Sequence, residues 1–154
     1  MKNRLILLIL VLMAGLGVSA QARTNHPQQQ ETLTDPVRGF EEILDLWRDG
    51  RFSELYDRTI PAGNQSKETF IARLSASDRR PACCWQKLQE AGVLTQNGLK
   101  TTLAAKVGIE AKDGSTEYIT RRFKLQQENG VWKVSMSDIT TLSGNGKKRR
   151  LSTK

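Results

Sequence analysis

The sequence predicts an α+β domain: N-terminal helices packed on a curved four-stranded antiparallel sheet, spanning residues 35–142. Three observations lead there. As far as Leu74 the apolar residues recur at spacings of three and four, the period of a helix with one buried side. After Cys84 the period changes to two, the mark of half-buried strands. Turn dipeptides then follow at regular intervals, Asn97-Gly98, Asp113-Gly114 and Asn129-Gly130.

The first helix starts at Asp35-Pro36, where the carboxylate caps free N–H groups and proline occupies the first turn, which needs no donor from it. Val37, Phe40, Ile43, Leu44 and Trp47 form its apolar stripe, with Glu41, Glu42, Asp45 and Arg48 on the other side. Gly50 breaks it. Phe52, Leu55, Tyr56 and Ile60 predict a second, short helix that Pro61 ends. Ser66 caps a third, which turns Phe70, Ile71 and Leu74 inward. Strands follow over Trp85 to Leu94, Thr102 to Ala111, a run carrying Ile119, Phe123 and Leu125, and a last run carrying Trp132, Val134 and Met136.

A two-residue turn at Asn129-Gly130 pairs Glu128 with Val131, Leu125 with Val134 and Phe123 with Met136, apolar against apolar. The same register sets Arg121 opposite Asp138 on the apolar face, where the arginine keeps the carboxylate ionised. For the hairpin at Asp113-Gly114 the pattern asks for a three-residue loop, which pairs Ile109 with Ile119, Ala105 with Phe123 and Leu103 with Leu125, and lays Val107 beside Arg121. The pair is either a structural ion pair or the polar base of a concave pocket, with Arg121 able to hold a ligand carboxylate.

Lys2 and Arg4, then fourteen uncharged residues from Leu5 to Val18, closing on Val18-Ser19-Ala20, read as a secretory signal peptide over residues 1–20. The run is short for a bilayer, which needs roughly twenty residues. Export to the periplasm or medium is therefore expected, with cleavage after Ala20; an uncleaved anchor is the alternative. Residues 21–34 read as a polar leader that holds His26, the only histidine. The net charge of +8 does not belong to the body, because Glu31 to Leu142 carries sixteen basic and sixteen acidic residues. It belongs to residues 143–154, a disordered basic tail with Lys147, Lys148, Arg149 and Arg150. Such a tail gives weak contact with an anionic membrane, and no nucleic-acid partner is expected.

Cys83 and Cys84 are adjacent in a chain bound for oxidising surroundings. Three states stay open: two buried thiols, a vicinal disulfide, or a bond to a second chain. The last two make the pair a redox site. Zinc would need ligands beyond two neighbouring thiols, so no metal site is expected, and no cofactor.

Phe40 to Ser53, Ser66 to Leu74 and Glu128 to Asp138, the last with a Gly-x-Trp-x-Val strand, resemble the nuclear transport factor 2-like superfamily, in particular its small exported bacterial members of unknown function. The resemblance implies a cone-shaped domain. It also implies a choice between ligand-binding, dimerisation or assembly modules and isomerases or hydrolases. An isomerase site needs a general-base aspartate and an oxyanion hole of tyrosine and protonated aspartate. The candidates here, Tyr56, Asp57, Tyr118 and Asp138, do not assemble in this register. The chain reads as a binding or scaffolding domain rather than an enzyme, with Arg121, Asp138, Trp132 and Phe123 as ligand-binding residues. Its partner is a small ligand or a protein, including a second copy through the sheet. A periplasmic assembly subunit held by an uncleaved anchor is a further alternative.

Overall fold

A computed structural model describes residues 35–145. The expected signal peptide and leader, residues 1–34, and the basic run within residues 146–154 lie outside the described residues. Four helices, α1 (Pro36–Arg48), α2 (Phe52–Asp57), α3 (Lys67–Ser75) and α4 (Met136–Leu142), accompany six strands: β1 (Thr59–Ile60), β2 (Arg80–Pro81), β3 (Leu88–Asn97), β4 (Lys100–Glu110), β5 (Thr116–Glu128) and β6 (Val131–Ser135). The four long strands, β3 to β6, make the expected meander. Two short ones extend it, so the sheet has six strands rather than four: β1 runs parallel to β6 and β2 antiparallel to β4.

Local chemistry starts the helices as read. Asp35 Oδ1 accepts the Val37 N–H at 2.9 Å, and Ser66 Oγ accepts that of Thr69 at 3.3 Å. Phe40, Ile43, Leu44 and Trp47 are buried along α1. The second helix stops at Asp57, short of the expected Ile60. Edge strand β6 needs a partner, and the Val134 N–H donates to the Arg58 carbonyl at 3.1 Å, which draws the next residues into β1.

The hairpin at Asn129-Gly130 pairs Glu128 with Val131 and Leu125 with Val134, as the turn dictates. The Asp113-Gly114 hairpin has three loop residues, but the pairs are Ile109 with Glu117, Val107 with Ile119, Ala105 with Arg121 and Leu103 with Phe123. The expected pairs are thus displaced by two residues, and Arg121 lies opposite Ala105. The added loop residue is Lys112, not Ser115. Ala111 N–H bonds Ser115 O at 2.9 Å, and Asp113 Oδ1 accepts both the N–H (2.9 Å) and the hydroxyl (2.6 Å) of Ser115. That choice puts Gly114, at φ +81°, in the left-handed last position of the loop, which a side chain would strain.

The last strand ends at Ser135, so neither Met136 nor Asp138 pairs across the sheet as expected. Met136, Ile139 and Leu142 recur every three residues and are buried as the inner side of α4. The packed chain also runs past Leu142. Ser143 is buried and its carbonyl accepts the Ser77 hydroxyl at 3.0 Å, while the Asn145 amide donates to Arg73 O at 3.2 Å.

Candidate functional site

The inner face of the sheet, toward the helices, is filled. Phe123 is fully buried, with its ring 4.5 Å from that of Phe40. Trp132 is buried against α1, so close to Gly39 that a side chain there would overlap its indole. Both residues, expected to line a ligand site, stand in the core between sheet and helix, beside Met136.

Arg121 and Asp138 do meet, Nη2 to Oδ1 at 3.2 Å, but from β5 to the first turn of α4 rather than across two strands. The guanidinium also lies 5.8 Å from the Phe123 ring. Burial pushes the Asp138 carboxyl above its ordinary 3.8; the Arg121 charge and the Lys124 N–H and charge oppose this without prevailing. Burial sets the direction because the Asp138 side chain is only 13% exposed and that of Arg121 31%. A carboxyl raised on folding gives stability below its unfolded value that is lost as pH rises through the folded one. As pH rises above the ordinary carboxyl range, urea melts of the native chain should therefore lose ground to those of Asp138→Asn.

Tyr56, Asp57 and Tyr118 do not join this pair. The Tyr56 hydroxyl lies 3.5 Å from Gln65 O, Asp57 bonds Lys67, and Tyr118 lies opposite Gly108 on the outer face. One buried charge escaped the sequence reading. Lys87, just before β3, reaches Asp45 at 2.5 Å and Glu41 at 3.3 Å, fastening α1 to the sheet edge. A lysine between Gln86 and Leu88 carries no burial signal of its own; the acidic i, i+4 pair on α1 is the hint.

Cys83 and Cys84 form the vicinal disulfide, one of the three states left open, and both are exposed. Cys84 has φ +56°, and Trp85 beside it is 73% exposed. A bond between neighbours closes a negligible loop and so removes little chain entropy from the unfolded state. Reduction by a dithiol should release two titratable thiols and change Trp85 fluorescence, while unfolding free energy moves by less than about 1 kcal/mol.

Two of the surface grooves differ in how their charges are used. The helix-side groove, about 530 Å³, is lined by Glu42, Asp45, Arg51, Glu54, Asp57 and Arg58. Each of these charges is already paired: Glu42 with Arg58, Asp45 with Lys87, Arg51 with Glu54, Asp57 with Lys67. The other, about 430 Å³, crosses the outer face of the sheet, with Thr95, Lys100, Thr102, Lys124, Gln126 and Ser135 among its walls. Alternation along β4 and β5 puts Lys100, Thr102, Lys124 and Gln126 on that face, with Arg122 beyond the groove. Lys100, Arg122 and Lys124 form no salt bridge among the described residues, whereas Lys106 and Lys133 are held by Glu90 and Glu128.

No family model matches the chain, and neither does any curated protein. Solved structures similar to it include a SEC-C motif containing protein from Rhodopseudomonas palustris, 16% identical with a TM-score of 0.47, covering 71% of this chain and 83% of that one. Aln2 from a Streptomyces species is 14% identical with a TM-score of 0.42, covering 71% and 87%. A variant of a protein named Rd1NTF2_05 is 16% identical with a TM-score of 0.42, covering 71% and 93%.

Proposed function

We propose that the chain is an exported binding domain that offers the outer face of its sheet to an anionic partner. The supporting observation is the contrast between the grooves: Lys100 and Lys124 stand among hydroxyls and amides without a salt bridge among the described residues, while every charged residue lining the helix-side groove is salt-bridged. An enzyme of the cone type draws less support, since Phe40, Phe123, Trp132 and Met136 occupy the space a substrate would need. A homodimer through the sheet would set like charges against each other, which also disfavours it.

The test is a nuclear magnetic resonance titration with glycerol phosphate at low ionic strength, where surface charge is least screened. Shifts are expected at Thr95, Thr102 and Lys124, and they should vanish in Lys100→Glu with Lys124→Glu. Shifts absent from the outer face would overturn the reading. Export rests on Lys2 to Ala20 of the sequence. N-terminal sequencing of the protein from its producing cell should start at Gln21, and a stable chain starting at Met1 would contradict cleavage.

A further inference from the structure

We infer that the anionic partner is a lipid surface, against which the β3–β4 hairpin lays its apolar edge and tip. The inference rests on the outer face being the anion-binding face, and names what covers it. Three apolar side chains of this hairpin stand in solvent: Val93 at 44%, Leu94 at 50% and Leu99 at 60% exposure. Leu99 is in the turn, and Leu94 is extruded where Val93 pairs with Leu103 but Thr95 with Thr102, leaving it without a partner on β4. Ala91 to Leu99 carries no charge and no proline, the usual guards of a free edge.

Lys100 follows Leu99 directly, and Lys124 lies beside Thr102, whose other neighbour is Thr95, so cations stand on the outer face next to the tip of the hairpin. An apolar insertion with lysines beside it is the pattern of interfacial membrane binding. A nucleic-acid backbone would meet the cations but gain nothing from Val93, Leu94 and Leu99. The body is polarised in the same sense. From Asp35 to Arg58 there are seven acidic and four basic residues, whereas from Lys100 to Lys133 there are four acidic and seven basic. A negative surface therefore attracts the β4–β6 part of the sheet and repels the α1–α2 part of the helix layer.

The test is hydrogen–deuterium exchange of the full chain on vesicles of phosphatidylglycerol with phosphatidylcholine, compared with phosphatidylcholine alone. Exchange across residues 93–102 should slow on the anionic vesicles only. Leu94→Asp with Leu99→Asp should remove that protection and lower the partition coefficient by about tenfold or more. Lys100→Glu with Lys124→Glu should lower it by about twentyfold or more, since each lysine near an anionic surface contributes roughly fivefold. Both pairs occupy exposed positions, and unchanged thermal melts verify that the variants fold. Protection confined to the termini, protection on neutral vesicles as well, or none at all would overturn the inference. Glycerol phosphate binding without hairpin protection would leave an anion-binding face whose partner is soluble, such as an acidic protein; loss of both would remove the face itself.

Discussion

Phe123→Ala lowers the free energy of unfolding by about 3 to 5 kcal/mol, the usual cost of emptying a fully buried phenylalanine site. Phe40 then faces a void across which β4 and β5 cannot close, since both are pinned by a continuous ladder from Lys100 to Glu110. Domains of this size hold only about 5 to 15 kcal/mol, so the variant should sit near its unfolding threshold at body temperature. Urea denaturation checks this, with Phe123→Leu as the milder comparison. The same variant tests the site assignment: glycerol phosphate shifts should persist at temperatures where it remains folded, because Phe123 faces the core and the groove lies on the other side of the sheet.

Gly108→Ala should destabilise by about 1 to 3 kcal/mol or more, through overpacking against backbone. An added Cβ would overlap the Gln86 carbonyl oxygen and crowd the Tyr118 ring. Nothing flexible can yield there. Gly108 fastens both ends of the Ala82–Lys87 segment, accepting from the Ala82 N–H at 2.8 Å and donating to Lys87 O at 3.2 Å. Moving Gln86 therefore disturbs the seat from which Lys87 reaches Asp45 and Glu41. Gly92→Ala, where an added Cβ meets nothing within 4 Å, is the control and should cost far less.

Where a residue's neighbours in sequence decide its structure, the fold was legible. Asp35 and Ser66 cap helices, and Asn129-Gly130 sets a register from two residues of turn chemistry. Where two local solutions preserve the same alternation, the sequence pattern cannot choose. The Asp113-Gly114 loop could grow by Lys112 or by Ser115, and either keeps apolar residues facing inward; only the left-handed requirement at Gly114 separates them. Arg121 and Asp138 were brought together by a strand that ends early, so their meeting was anticipated and its route was not. The proposed anion-binding face was hidden for another reason. Net charge over a segment does not say which lysines are neutralised, and that depends on pairings such as Lys106 with Glu90 that exist only in three dimensions.

The broken outline of the sheet's β3 side has a consequence for solubility. β2 and β3 are two pieces of a single border along β4, parted by the Ala82–Lys87 excursion and kinked again at Glu90 and Leu94. Fibrillar growth needs a straight run of free N–H and C=O groups on which an identical strand can template itself. Each interruption here resets the spacing of those groups. An incoming strand finds matching donors and acceptors for only a few residues before the contour turns away, which works against templated stacking on this uncharged, leucine-bearing rim.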